Sequence, residues 1–246
     1  MRTNLFSKID TSSSYYDEVD RASVKGIILK TVILLLLTAT TAAMIFAFLP
    51  EMLNDKSKAL PFYGLLIGAA IIALICGIAG RFESRATKYL TVIYALAEGL
   101  TVGFLTRLVE FYVPSAGLIA LTATFSIFAV VLVLYSVGIL KATSRLFGIL
   151  IAIFIGALLL SITSFIAWFF VSDHTYFLIC IAVEALLLIE GVISLVFNFA
   201  EADSVVKAGC SKNAEWCVSL GLAISLVFIY VEILRLIFYI AASNRN

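Results

Sequence analysis

Apolar residues fill this chain in long runs, at about 27 to 49, 60 to 80, 89 to 109, 115 to 140, 146 to 171, 175 to 200 and 216 to 241, with polar residues gathered in the short gaps between them. Each run has about the 20 residues with which an α-helix, rising about 1.5 Å per residue, crosses some 30 Å of hydrocarbon. The pattern predicts an all-α membrane protein of about seven transmembrane helices, with residues 26–246 as one lipid-embedded domain. Barrel strands would be half as long and would alternate in polarity, so they are excluded. The breaks carry turn and charge signals: Pro50 to Pro61, Arg81 to Arg85, Pro114-Ser115, Lys141 to Arg145, Asp173-His174 and Gly209 to Asn213.

Composition agrees with the pattern. The chain is 63% hydrophobic and 13% charged, against roughly 25% charge in soluble domains, and its mean hydropathy is +1.12. A formal charge of +1 argues against a nucleic-acid-binding surface. The four cysteines stand singly and the one histidine, His174, falls in a loop, so no metal set of converging Cys and His is read and no cofactor is expected. Residues 1–25 read as a polar cytosolic tail with a Ser12 to Tyr16 cluster, solvated rather than folded. With the N-terminus in the cytosol, lysine and arginine favour the inner loops by about three to one.

The candidate chemistry lies in the ionisable residues inside the runs, because a charged side chain in a lipid-spanning helix costs about 3 kcal/mol on insertion scales. Glu98, Glu184, Glu190, Glu201 and Glu232 lie in or at the edge of the spans, and Arg235 is the one deeply embedded base. On straight helices Glu232 falls in the outer half, Glu98 and Glu184 near the midplane, Glu190 in the inner half and Glu201 at the inner mouth. At about 100° per residue, Glu190, Ser194, Asn198 and Glu201 share an arc of about 80° on the sixth span, and Gly221, Ser225, Glu232 and Tyr239 share a face of the seventh. Two such stripes on consecutive helices should face each other, since neither can face lipid cheaply. Plainer readings stand beside this: Glu232 and Arg235, three apart, neutralise each other; Glu201 and Asp203 are solvated at the interface; Glu98 is protonated and bonded within the bundle.

Enzyme chemistry finds no support in the residues. Ser161, Ser164 and Ser194 have no base to activate them, every lysine lies at an edge or in a loop, and neither a phosphate-binding glycine loop nor an embedded aspartate pair is present.

Several motifs taken together, and in this order, resemble the bacterial Bax-inhibitor/YccA-like family: Ala97-Glu98-Gly99-Leu100, Gly138 to Thr143, Phe197-Asn198 through Asp203, Lys207-Ala-Gly209, Glu215-Trp216 and Tyr230-Val-Glu232-Ile-Leu-Arg235. The resemblance implies seven helices with the last wrapped by the others. It also implies a pH-sensitive calcium leak gated by two acids, on the sixth and seventh helices, that share a proton. Some bacterial members instead modulate a membrane-bound AAA protease, and eukaryotic relatives restrain cell death. Carried over by motif, the sixth-helix acid falls on Asn198. The seventh-helix acid falls on Glu232 if Tyr-Val-Glu stands for the family's Tyr-Leu-Asp, or on Ser225 if Glu232 to Arg235 matches a later motif. Asn198 departs from the family, since an amide neither holds nor releases the shared proton, and Glu201 one turn on is the candidate replacement.

The sequence therefore leads to a non-enzymatic protein of the bacterial inner or plasma membrane, N-terminus cytosolic, that passes cations, most plausibly Ca²⁺, with embedded glutamates sensing pH. Glu232 would be sensor and ligand, Glu98, Glu184 and Glu190 pathway groups, and Arg235 a counter-charge. The other expectation is a non-conducting protein that binds another membrane protein, marked by an exposed small-residue face and dependent on the tail.

Overall fold

A computed structural model of the chain describes residues 21–54, 56–82, 86–167 and 169–244. The Ser12 to Tyr16 cluster of the tail, and the Glu83 to Arg85 stretch of the second break, lie outside the described residues. Seven helices make up the fold: α1 (Val24–Asn54), α2 (Lys56–Ala79), α3 (Thr87–Tyr112), α4 (Ala116–Ser136), α5 (Ser144–Ala167), α6 (Asp173–Lys207) and α7 (Lys212–Ser243). All but α2 are long and apolar enough, as described, to cross a membrane; the apolar part of α2 described is Tyr63–Ala79. The "near face" below is the end of the bundle where α1 begins and α7 begins, and the "far face" is the other.

Burial sorts the helices. Of the spanning stretch of α7, 78% is inside the protein, against 39% for α3, 33% for α6 and 6% for α5. The last helix is thus the axis of the bundle. Helices α1, α3, α4 and α6 pack around it, α2 leans mainly on α3, and α5 rests on α6. The main core follows this plan: Val218, Leu222, Leu226, Ile229, Ile233 and Leu234 of α7 meet Leu195, Val196 and Phe199 of α6, Ala116, Ala120 and Val131 of α4 and Ile27 of α1. Between membrane helices the gain comes from close packing rather than from escape from water, so small residues mark the tightest joints. The Gly99-x-x-x-Gly103 pair of α3 is one, lying where an added methyl would strike Thr38 and Thr41 at the first glycine and the Ala42 backbone at the second.

Two helix ends depart from the hydropathy boundaries for a local reason. Helix α4 stops at Ser136, because Gly138 (φ +80°) takes a left-handed turn that returns the Gly138 and Ile139 amides to the Tyr135 and Leu134 carbonyls. Helix α6 runs on to Lys207 before Gly209 (φ +62°) closes it in the same way. At 35 residues it is about 52 Å long. Its last turns therefore stand beyond the hydrocarbon at the near face, carrying Glu201 and Asp203.

The near ends of α1 and α7 are clasped. Glu215, 3% exposed, accepts from the Ser23 backbone amide at 2.7 Å and its hydroxyl at 3.2 Å, and pairs with Lys30 Nζ at 2.5 Å. The Lys30 ammonium also donates to the Lys212 carbonyl at 3.1 Å and lies 5.0 Å over the Trp216 ring.

Candidate ion path between the sixth and seventh helices

Helices α6 and α7 run antiparallel, joined by a turn at the near face, and their polar residues meet in two separate groups. In the near half, Asn198 Nδ2 donates to Ser225 Oγ at 2.7 Å and to the Ser194 carbonyl at 3.0 Å, while the Ser194 and Ser225 hydroxyls are 3.1 Å apart. Asn198 is 6% exposed and Ser225 2%. The group is neutral and largely self-satisfied, as a buried polar network must be.

Glu232 does not face Asn198. Its place is two turns farther along α7, about 10 Å toward the far face, so of the two registers open from the motifs, the one that matches Ser225 to the seventh-helix acid position is the one whose residue meets Asn198. Glu201 does not join this pair either. It turns to Arg81, just past α2, whose Nη2 donates to it at 2.7 Å and whose Nη1 donates to the Cys217 carbonyl at 3.2 Å. Both side chains of that ion pair are 36% exposed, which fits the reading of Glu201 as an interfacial acid. Asp203 likewise sits at the edge, accepting from Tyr135 Oη at 3.0 Å with Lys207 at 3.7 Å. Gly221 makes room for the guanidinium: an added methyl there would collide with Arg81 and with the Asn198 carbonyl oxygen.

The far half holds charge. Arg235 reaches Glu184 of α6 at 2.9 Å through Nη2 and Glu232 on its own helix at 3.3 Å through Nη1. The two carboxylate side chains are 3% and 2% exposed, and the arginine side chain 39%. Glu190 follows on α6, six residues from Glu184 toward the near face. The Oε2 atoms of Glu184, Glu190 and Glu232 are all enclosed and have no hydrogen-bond partner. The i, i+3 neutralisation of Glu232 by Arg235 therefore exists, but Glu184 competes for the same cation and is held by the shorter contact. Between the two halves the joint is apolar: Gly191 lets α6 close onto Ile229 and Phe228, with an added methyl only 2.9 Å and 3.0 Å from them.

Glu98 belongs to neither group. It lines a cavity of about 700 Å³ bounded by α2, α3, α6 and α7, which runs from Arg81 and Phe82 past Asn198, Ser194 and Ser225 to Thr101. A second cavity, about 660 Å³, lies on the other side of α3 and α7, between α1 and α4; its wall is nearly all carbon, with Glu110, Thr106 and Tyr230 among its few polar residues. Among the described residues no group of three His, Cys, Asp or Glu stands ready to hold a metal ion.

Arg81 and Lys30 are the residues whose places sequence reasoning valued least. Both counted only as positive charges at loop ends, and no spacing signal ties Arg81 to Glu201 across 120 positions or Lys30 to Glu215 across 185.

A family model described as Bax inhibitor 1 like matches residues 3–242 of the chain. No curated protein matches it.

Proposed function

Starting from the fact that this chain is a multi-pass membrane protein of the Bax inhibitor 1 like family, we propose that it passes cations, Ca²⁺ foremost, along the joint between α6 and α7, and that protonation of embedded glutamates sets how often the path is open. The observation that carries this reading is the far cluster: three carboxyls, one guanidinium and three enclosed carboxylate oxygens with no partner. Three such acids and one base approach neutrality only by taking up about two more positive charges, as protons or as cations in transit, since these carboxyls form no ready-made metal site. Protons and Ca²⁺ thus compete for the same oxygens, and that competition makes a flux depend on pH. Ca²⁺ asks for oxygen ligands, which this joint supplies without thiolate or imidazole.

In this scheme the path leads from a cytosolic near face through the cavity beside Asn198 and Ser225, which Glu98 also lines. In this reading the apolar contact of Gly191 with Ile229 and Phe228 would be the constriction, and Glu184, Glu190, Glu232 and Arg235 would line the outer half. The test is Ca²⁺ influx into liposomes carrying the purified protein, at about pH 6 and about pH 8, a range in which embedded acids switch. Wild type should respond to pH, and Glu232→Gln should flatten the response. Equal influx into empty and protein-bearing liposomes at both values rules the leak out.

One observation favours a second reading, in which the protein binds and restrains another membrane protein. Helix α5 rests on the bundle mainly through α6 and carries Gly148, Ala152 and Gly156 at four-residue spacing, with open space around both glycines. Such a face admits a second helix closely. Bulky substitution at Gly148 and Gly156 would remove a partner-dependent effect and spare a leak.

A further inference from the structure

We propose that the cavity between α2 and α6 is a binding site for an amphipathic organic cation, which enters sideways from the bilayer and sets its charged group on Glu98. Helices α2 and α6 are at most marginally in contact, so no helix-to-helix seam closes the cavity on that side. Its volume, about 700 Å³, lies within the 300–1,000 Å³ usual for small-molecule sites.

The two walls differ in chemistry. Along α2 the lining is apolar, with Ala73, Leu74, Gly77 and Ile78, a surface for a hydrocarbon body. Opposite it are Glu98 and Tyr94, four residues apart on α3 and so one above the other on the same face.

Charge decides the sign of the ligand. Two ionisable side chains of acid or base type line the cavity, Arg81 and Glu98. Arg81 is already engaged by Glu201 and by the Cys217 carbonyl, whereas the Glu98 carboxyl makes no hydrogen bond or ion pair with any described residue; its backbone carbonyl alone accepts, from Thr101. Asn198, Ser194 and Ser225 satisfy one another, so the unmet demand in the cavity is a single negative group. A metal ion would want six or more oxygens. An ammonium or phosphonium on an apolar body wants one carboxylate and an aromatic neighbour, and Tyr94 lines the cavity one turn from Glu98. This goes beyond the leak and is measured without flux: a protein that does not conduct can still bind, and one that conducts can fail to.

The experiment is equilibrium binding of tetraphenylphosphonium to the full chain in lipid nanodiscs, with empty nanodiscs subtracted and tetraphenylborate, of like shape and opposite charge, as the comparison. Saturable binding near one per chain is expected for the cation and none for the anion. Glu98→Gln should weaken it about tenfold, while Glu110→Gln, in the other cavity, should leave it unchanged. Leu74→Trp keeps the carboxylate but narrows the room for the body, and should weaken binding as well; it decides the matter if Glu98→Gln does not fold. Binding that is equal in wild type, Glu98→Gln and Leu74→Trp, or equal for both ions, would overturn the proposal and leave Glu98 a protonated acid in an unoccupied cavity.

Discussion

The near and far halves of the α6–α7 joint solve the same problem in opposite ways. Both bury polar side chains at the centre of a membrane bundle. The near half does it with an amide and two hydroxyls that exhaust one another's hydrogen bonds, and the far half does it with two carboxylates that share a guanidinium and leave oxygens over. In the near half every bond joins neutral groups, whereas in the far half two acids contact one base, and an unequal set of charges is what solution conditions act on. At the position where the resemblance places the first of two shared acids, this chain has Asn198, and the titratable groups stand two turns farther out.

That contrast is open to attack at several points. The largest effect should come from Arg235→Met, which leaves Glu184 and Glu232 buried without their cation. Orphaning a buried charge costs about 3–5 kcal/mol, and the low end applies because the arginine side chain is itself 39% exposed. Thermal unfolding in nanodiscs should fall accordingly, and adding Glu184→Gln with Glu232→Gln should restore most of it. If the triple variant is no better than Arg235→Met alone, the far half is held by packing and not by charge.

Gly221→Ala should cost less, about 1–2 kcal/mol as an overpacking change, since the new methyl meets the end of a flexible arginine and the Asn198 side chain. The same melting experiment reads it. A neutral effect would mean that Arg81 swings away freely and takes no part in shaping the near half. Glu201→Gln should cost least, below about 1 kcal/mol, because both partners of its ion pair are 36% exposed. What effect it has should shrink further in high salt; a larger loss, insensitive to salt, would place Glu201 inside the near network after all.

The helices were legible because lipid imposes the same length on every span and so leaves a repeating mark in hydropathy. The polar stripes were legible for the same kind of reason, since helical periodicity puts Ser194 and Asn198 on one face and Ser225 on the corresponding face of the next helix. Register between helices was not. Sliding α7 by two turns keeps Glu232 and Ser225 on the same face while exchanging which of them meets Asn198, and only side-chain packing, such as Gly191 against Ile229, selects one. Once Asn198 is set against Ser225, antiparallel travel does the rest: fourteen residues back along α6 is Glu184, ten forward along α7 is Arg235, and they meet. The partner of Glu201, Arg81, comes from outside both helices, which no stripe on either one could reveal.

The place of α7 in the bundle also bears on how the protein is made. A chain synthesised from its N-terminus delivers α1, α3, α4 and α6 to the membrane before the helix they pack around exists. Until α7 arrives, Asn198 lacks Ser225, Glu184 lacks Arg235 and Lys30 lacks Glu215. A chain interrupted before residue 212 would therefore carry, both at its near end and deep in its far half, charges without the partners they have in the finished protein.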